Sequence, residues 1–262
     1  MKAVNEFLEA KQKQKNISMV TCYDFWSAKI LSKTDIDAVL VGDSAAMVMH
    51  GFETTVNATI EMMEMHISAV SRGLKNKFLV GDMPFLAHRK GIRDTMNSVD
   101  KLIKAGAQAV KIEGANGQIK IINHVVDSGI PVMGHIGLTP QSIHKFGGFK
   151  VQGKDEEVTH HLIDSAIQLQ DAGVFAIVLE LVPAKVAEII TNELSIPTIG
   201  IGAGPKTSGQ ILVLQDLLGM DDNFTPKFLR KFMKGSKLIT ESINTYNKEV
   251  KAKKFPSLKE SF

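Results

Sequence analysis

Apolar positions recur along the chain in short runs, and longer segments with helical periodicity separate these runs. Most of the runs are apolar on both faces, which is typical of parallel strands that are covered on both sides of a sheet. The predicted strands are Ile17–Asp24, Ala38–Asp43, Phe78–Asp82, Ala109–Glu113, Pro131–Gly137, Phe175–Glu180, Pro197–Gly202 and, with the weakest pattern, Ile211–Gln215.

The segments between the strands have the pattern of amphipathic helices. In one of them the apolar residues fall on a single helical face and a glycine follows as a stop signal. That set is Ile60, Met63, Ile67, Val70 and then Gly73. The same arrangement precedes Gly106 and Gly173. The chain therefore alternates between strand and helix, which predicts βαβ units.

Eight strands in such units predict an α/β fold, a (β/α)8 TIM barrel that forms a single domain over residues 1–262. The segment Val4–Lys15 is predicted to be an N-terminal helix, and a helical extension is predicted after Thr225. An open doubly wound sheet has the same alternation and is the structural alternative.

Composition narrows the class of protein. The chain has 262 residues, of which 44% are hydrophobic and 23% charged, as in ordinary globular proteins. A net charge of +3 is small for a nucleic-acid-binding protein. There is no apolar run of about 18 residues and no signal-peptide pattern, so we expect a soluble, cytoplasmic protein without a membrane span. The single cysteine excludes an internal disulfide framework.

Polar residues stand at the ends of several predicted strands. Carboxyl ends of parallel barrel strands meet at one mouth, where barrel enzymes have their active sites. Lys111 and Glu113 share one strand face, because side chains two positions apart point to the same side. The residues at these ends are Asp43, Asp82, Glu113, His135 and Glu180.

Carboxylates without cysteine favour a hard cation such as Mg²⁺, which needs only one or two carboxylates and keeps exchangeable positions. Those positions suit a bidentate 2-oxo acid, and the metal would stabilise an enolate. A separate carboxylate would act as the base. Mn²⁺ fits the same oxygen donors.

Other features have structural interpretations. Cys22 is predicted to be a small buried hydrophobic residue, and His160 and His161 are predicted to be exposed on a helix. The segment Gly200–Gly204 lacks the G-x-G-x-x-G spacing of a dinucleotide site, which leaves a tight turn or a role in ligand binding. The long connection from Leu138 to about Asp155 is typical of a lid or binding loop.

Seven segments, in the same order, resemble the ketopantoate hydroxymethyltransferase family, and the resemblance runs from about Ser18 to Lys227. Each motif alone is unspecific, but the ordered set is highly specific. The segments are Val41-Gly-Asp-Ser44, Gly81-Asp-Met-Pro-Phe85, Val110-Lys-Ile-Glu-Gly114, Gly134-His-Ile-Gly-Leu-Thr-Pro-Gln141, Phe146-Gly-Gly-Phe-Lys-Val-Gln-Gly153, Leu179-Glu-Leu-Val-Pro183 and Ile199-Gly-Ile-Gly-Ala-Gly204.

The resemblance implies transfer of a hydroxymethyl group from 5,10-methylenetetrahydrofolate to 3-methyl-2-oxobutanoate through a Mg²⁺-stabilised enolate. It also implies one Mg²⁺ per subunit and a homo-oligomer, a decamer. Glu180 is implied as the proton acceptor, and Glu113 as a further acid at the metal. The resemblance implies that Asp43 and Asp82 bind both the metal and the substrate. It implies further substrate contacts from Ser44, Lys111 and His135.

Two small departures from the family pattern concern packing only: Ala45-Ala46 stands where Leu-Gly is expected, and Phe149 stands where Tyr is common. A barrel of the phosphoenolpyruvate mutase or isocitrate lyase type is the nearest alternative enzyme. Such lyases carry a reactive cysteine in a mobile loop, and the 138–155 connection has none. A non-catalytic barrel is the other alternative, and it predicts no turnover and no need for the acids.

Overall fold

A computed structural model describes residues 1–142, 152–153 and 155–262. Eight parallel strands form a closed barrel in the order β1 to β8, which confirms the predicted TIM barrel and excludes the open sheet. Phe149 and most of the predicted long connection lie outside the described residues. The strands are β1 (Ile17–Thr21), β2 (Ala38–Val41), β3 (Phe78–Asp82), β4 (Ala109–Glu113), β5 (Val132–Gly137), β6 (Ala176–Glu180), β7 (Thr198–Ile201) and β8 (Gly209–Leu212).

Helices connect the strands from β1 to β7, whereas only a loop connects β7 to β8. Three of them begin at an N-cap carboxylate or hydroxyl that accepts a hydrogen bond from a backbone N–H, namely those capped by Asp24, Thr59 and Asp155. The α-helices in the described ranges are α1 (Asn5–Gln12), α2 (Phe25–Leu31), α3 (Ala45–Val48), α4 (Ile60–Gly73), α5 (Ile92–Lys104), α6 (Ile119–Asp127), α7 (Glu156–Asp171), α8 (Ala184–Glu193), α9 (Leu214–Leu217) and α10 (Gly235–Lys251).

The chain divides into two compact units, Met1–Leu212 and Val213–Phe262. The first unit contains the barrel and α1 to α8, and the second contains α9 and α10. The helix predicted after Thr225 begins only at Gly235. The assignment of all 262 residues to a single domain stays a prediction. Among the described residues, no helix combines the length and apolar character needed to cross a bilayer.

Helix α1 closes the amino-terminal end of the barrel. Phe7 is completely buried, and its ring packs edge-on against Phe78 at the start of β3 and against Phe175 just before β6, with centroid distances of 5.3 and 5.1 Å. Below them the interior is filled by aliphatic side chains such as Met19, Ala109, Met133, Val178 and Ile211. Among the described residues, the buried charged side chains on the barrel strands lie toward its carboxyl end.

Several predicted strand ends were wrong by a few residues. β1 stops at Thr21, because Asp24 already serves as the N-cap of α2. The predicted strand over Ile211–Gln215 lies two residues too late, since β8 begins at Gly209 and Leu214 begins a helix. Gly209 gives no apolar signal, yet glycine is required there. A Cβ at this position would lie 2.4 Å from the Ile17 carbonyl oxygen of the paired strand β1.

Candidate active site

The predicted site residues meet at the carboxyl mouth of the barrel. Strand register produces the meeting, because Lys111 on β4 pairs with Asp82 on β3, and His135 on β5 pairs with Glu113 on β4. Glu180 ends β6 and lies opposite Gly137 of β5. The cluster comprises the side chains of Asp43, Asp82, Lys111, Glu113, His135 and Glu180.

Lys111 lies at the centre of the cluster. Its Nζ is 2.9 Å from Asp82 Oδ1 and 3.7 Å from Glu113 Oε1, and the side chain is buried. Burial alone would lower the pKa of Lys111, but Asp82, Glu113 and Asp43 together outweigh it and raise the pKa above its ordinary value. The cluster thus holds a permanent buried cation, and the predicted sharing of one strand face by Lys111 and Glu113 is confirmed.

His135 links two carboxylates. Its Nδ1 lies 3.1 Å from Glu113 Oε1, and its Nε2 lies 3.2 Å from Glu180 Oε2. Burial and the nearby Lys111 lower the pKa of His135, but Glu113 and Glu180 outweigh them and raise it to about 9. Nδ1 also lies 3.2 Å from Lys111 Nζ, which opposes protonation of the ring, whereas the two carboxylates favour it. Nε2 is buried beside Glu180 and has no hydrogen-bond partner among the described residues, so the ring and this carboxylate are neighbours at ion-pair distance.

Gly137 allows β5 and β6 to approach closely beside Glu180. Its φ is +98°, in the left-handed region, and an added Cβ would lie 2.2 Å from the Glu180 carbonyl oxygen. Leu138 N–H donates to the same carbonyl at 2.8 Å. The backbone that carries Glu180 is thus fixed by a contact that only glycine permits.

Two neighbouring aspartates, Asp43 and Asp82, lie on the β2 and β3 side of the cluster. The backbone N–H of Asp43 donates to Asp82 Oδ2 at 3.2 Å, so the two buried aspartates are neighbours. Burial, and then Asp82 and Glu113, raise the pKa of Asp43 well above its ordinary value. Burial also raises the pKa of Asp82 in spite of Lys111. Burial would raise the pKa of Glu113 as well, but His135 and Lys111 outweigh it and lower that pKa.

This arrangement fits a divalent cation held by two carboxylates. Asp82 Oδ1 is buried and has no hydrogen-bond partner in the described residues, although Lys111 lies beside it, so a lone pair remains for a metal. A cation would also relieve the repulsion that raises the pKa of Asp43. No group of three or more His, Cys, Asp or Glu side chains in the described part is arranged to hold a metal by itself. Mg²⁺ suits such a site, because one or two carboxylates are enough to hold it and its other coordination positions stay open for water and substrate.

Gln141 is a site residue that sequence analysis did not identify. Its Nε2 donates to Asp43 Oδ2 at 2.9 Å and to the Met83 carbonyl at 2.8 Å, and its backbone N–H donates to Glu113 Oε2 at 3.2 Å. The only signal was its place at the end of the Gly134–Gln141 motif. Its amide fixes the orientation of Asp43 and joins three loops at the mouth.

Tyr23 was also missed, because it fell inside a predicted strand. The Tyr23 hydroxyl lies 2.8 Å from Ser44 Oγ, and its ring is buried. Its carbonyl oxygen lies 2.6 Å from Nδ1 of the buried His66, which holds this segment in place. Ser44 itself is only partly buried. Tyr23 is therefore placed to orient the Ser44 hydroxyl.

For the predicted 2-oxo acid substrate, we expect Tyr23→Phe to raise the KM by about threefold to tenfold, the effect of one lost neutral hydrogen bond. The kcat should change less, because Tyr23 acts through Ser44 and the chemical groups are untouched. Steady-state kinetics with varied oxo acid measure both constants. Tyr246→Phe is the matched control, since Tyr246 is the other tyrosine of the chain and is exposed on α10. An unchanged KM in Tyr23→Phe would show that Ser44 needs no orientation.

Residues with predicted structural roles lie outside the cluster. Cys22 is buried, as predicted, and burial raises the pKa of its thiol to about 11, so it is not a nucleophile. His160 and His161 are exposed on α7, as predicted. Gly204 has a φ of +80°, and a Cβ there would lie 2.4 Å from the Ala184 Cβ, which favours the tight-turn interpretation.

Comparison with known proteins identifies related sequences. The sequence profile of the ketopantoate hydroxymethyltransferase family matches residues 1–258. A 3-methyl-2-oxobutanoate hydroxymethyltransferase of Coxiella burnetii is 56% identical over 254 residues, which cover 97% of this chain and 96% of that one. The protein of the same description from Bdellovibrio bacteriovorus is 52% identical over 262 residues and the full length of both chains.

Solved structures with a similar fold are much more distant in sequence. A phosphonopyruvate hydrolase in complex with oxalate and Mg²⁺ has a TM-score of 0.62 at 10% identity and covers 99% of this chain and 93% of its own. A 2,3-dimethylmalate lyase of the phosphoenolpyruvate mutase/isocitrate lyase superfamily has a TM-score of 0.61 at 14% identity, with coverages of 100% and 92%. These similarities concern the fold alone, whereas the relatives at 52% and 56% identity are hydroxymethyltransferases.

Proposed function

The chain belongs to the ketopantoate hydroxymethyltransferase family, and from that premise we propose that this enzyme transfers a hydroxymethyl group from 5,10-methylenetetrahydrofolate to 3-methyl-2-oxobutanoate. The product is 2-dehydropantoate, a precursor in pantothenate and coenzyme A biosynthesis. One observation carries the proposal. At the barrel mouth, buried carboxylates that suit a divalent cation meet a buried lysine and a glutamate that lies beside a buried histidine.

Asp43 and Asp82 would hold the Mg²⁺. Glu113 would contribute through water, because its oxygens already accept from His135 and from the Gln141 backbone. The bound cation would supply Lewis-acid stabilisation for the negative charge that develops on the keto oxygen of the substrate. Mn²⁺ suits the same donors. The ammonium of Lys111 adds a fixed positive charge beside the substrate, with the Ser44 hydroxyl as a further contact.

Glu180 is the proposed base that takes the proton from C3 of the oxo acid. Its side chain is 19% exposed while the other charged members of the cluster are nearly fully buried, so it borders the open part of the mouth. His135 Nε2 lies 3.2 Å from the Glu180 carboxylate, so a protonated ring would attract this carboxylate. After deprotonation, C3 forms a bond to the methylene carbon of the donor, and both C–N bonds of that carbon break. Water supplies the hydroxyl group. Its other proton and the proton taken from C3 go to the two donor nitrogens, and tetrahydrofolate leaves.

The proposal is tested by incubating the enzyme with Mg²⁺, 3-methyl-2-oxobutanoate and 5,10-methylenetetrahydrofolate. We expect ketopantoate and tetrahydrofolate in equal amounts, detected by mass spectrometry and absorbance. In D₂O without the donor, the C3 proton should still exchange, because enolate formation precedes one-carbon transfer. Absence of both reactions under these conditions would contradict the proposed function.

The resemblance to the family also leads us to propose a cytoplasmic homo-oligomer, a decamer, with one Mg²⁺ per subunit. In this proposal the single domain spans residues 1–262 and includes the C-terminal helical extension. Sedimentation velocity of the full chain measures the subunit number directly.

A further inference from the structure

A cleft of about 460 Å³ opens beside the mouth, between the start of α4 and the loop that joins β3 to α5. Its volume is within the range of small-molecule sites. The walls are formed by Thr59 and Ile60 on one side and by Pro84, Phe85, Lys90 and Ser98 on the other. None of these residues belongs to the carboxylate cluster.

The cleft and the active site share the β3–α5 loop. This loop begins directly after Asp82, and the Met83 carbonyl accepts the hydrogen bond of the Gln141 amide at 2.8 Å. Pro84 and Phe85 are the next two residues and form the cleft wall. Farther along the loop, His88 is buried beside Glu113, and neither ring nitrogen has a hydrogen-bond partner in the part of the chain described. One face of the loop thus borders the cleft while the other borders the cluster.

The cleft is lined by an aromatic side chain, two lysines and two acids, and one of the lysines forms no ion pair among the described residues. Phe85 keeps 36% of its surface exposed. Lys101 is already paired with Glu61 at 2.9 Å, whereas Lys90 has no ion-pair partner within the described residues. Asp94 also lines the cleft, but it lies in the first turn of α5, where the helix dipole favours a negative charge. An aromatic group that ends in a carboxylate would complement this surface.

The donor in the proposed function carries such a group. The reactive carbon of 5,10-methylenetetrahydrofolate lies between the pteridine and the p-aminobenzoyl ring, and a glutamate follows that ring. We propose that the cleft binds the p-aminobenzoylglutamyl part of the donor, with Phe85 against the aryl ring and Lys90 at a glutamate carboxylate. This inference rests on the proposed function and adds a binding site to it.

The chemistry of transfer explains why the tail of the donor, and not its reactive end, belongs in the cleft. The one-carbon unit must reach C3 of an oxo acid beside Asp82 and Glu180. The arylglutamyl half of the donor then has to extend away from the mouth. The cleft begins two residues after Asp82, at the rim of the mouth, and so offers a path for that half.

The test compares two donors, 5,10-methylenetetrahydrofolate and the matching pteroyl compound without the glutamate. We expect Lys90→Ala to raise the donor KM about tenfold for the glutamyl compound, as for one charge-assisted hydrogen bond, and to leave the KM of the des-glutamyl compound unchanged. Phe85→Ala should raise the KM of both donors by about tenfold, because both carry the aryl ring. Since proton exchange needs no donor, a loss confined to transfer assigns the defect to donor binding.

Two control variants match these substitutions. Leu86→Ala changes the exposed apolar residue next to Phe85, and Lys104→Ala removes a lysine of α5 that is ion-paired with Asp100 outside the cleft. Both controls should keep the wild-type donor KM.

Three results would overturn the inference. Unchanged donor KM values in both Lys90→Ala and Phe85→Ala, with transfer active in the wild type, would remove the donor from the cleft. If Lys90→Ala or Phe85→Ala changes the sedimentation coefficient of the protein and leaves the donor KM unchanged, the cleft binds a second copy of the chain instead of the donor. A wild-type protein without proton exchange and without transfer would overturn the proposed function together with the inference.

Discussion

Glu180→Gln is expected to slow exchange of the C3 proton of 3-methyl-2-oxobutanoate in D₂O by about 10²–10⁴-fold, the usual contribution of a positioned general base. The amide of glutamine cannot accept the proton at neutral pH. Glutamine keeps the size and shape of the side chain, and its oxygen would stay beside His135 Nε2, which lies 3.2 Å from the native carboxylate, so the geometry of the site should persist. Loss of the C3–H signal by NMR measures the exchange rate.

The Glu180 experiment needs a control for charge removal and a second candidate base. Glu188→Gln is the control for charge removal, because Glu188 lies on α8 with a partly exposed side chain. This variant should exchange the C3 proton at the wild-type rate. His135→Gln tests the histidine as the second candidate base. Wild-type exchange in Glu180→Gln, combined with a loss in His135→Gln, would transfer the role of base from the carboxylate to the imidazole.

Asp43→Ala is expected to weaken Mg²⁺ binding by more than about 100-fold, since loss of a direct ligand should exceed the 10–100-fold effects of outer-shell changes. The variant leaves Asp82 as the sole proposed direct ligand, and it also removes the acceptor of the Gln141 amide. Calorimetric titration with Mg²⁺ measures the affinity, and electron paramagnetic resonance with Mn²⁺ gives an independent value.

Asp37→Asn is the matched control for the metal experiment. Asp37 precedes β2 while Asp43 follows it, so the two aspartates lie at opposite ends of one strand. The Asp37 carboxylate accepts from Ser18 and lies far from the mouth. Chelation of the wild type with EDTA should stop exchange, and added Mg²⁺ should restore it. Equal Mg²⁺ affinity in Asp43→Ala and the wild type would exclude Asp43 as a ligand.

The parts of the fold predicted best are those where apolar patterning is uninterrupted. β3 and β4 were predicted with the observed ends, because both are buried throughout and end in a single acid at the mouth. β8 was placed late, because Gly209 and Gln210 contribute no apolar pattern. Its position is decided by close approach to the Ile17 backbone. A contact between chain segments almost 200 residues apart leaves no local signal.

The functional cluster was predicted as a set of residues, and the interactions within it were not. Period-two alternation places Lys111 and Glu113 on one face, and strand ends of a parallel barrel converge. Tyr23 and Gln141 were missed as site residues because their roles depend on partners that are distant in sequence. Gln141 contacts Asp43 across 98 positions. The donor cleft likewise combines α4 with the β3–α5 loop, which no single motif contains.

The sequence by itself determined the order of strands and helices, the bounds of β3 and β4, and which acids stand at strand ends, because these depend on local periodicity and on the one-way direction of a parallel barrel. Only the tertiary structure decided which of those groups are charged and what each one contacts. Burial raises the pKa of Asp43, while neighbouring charges raise that of His135 to about 9. Electrostatic energy inside a protein depends on distances of a few ångströms and on burial, and both are set only when the barrel closes.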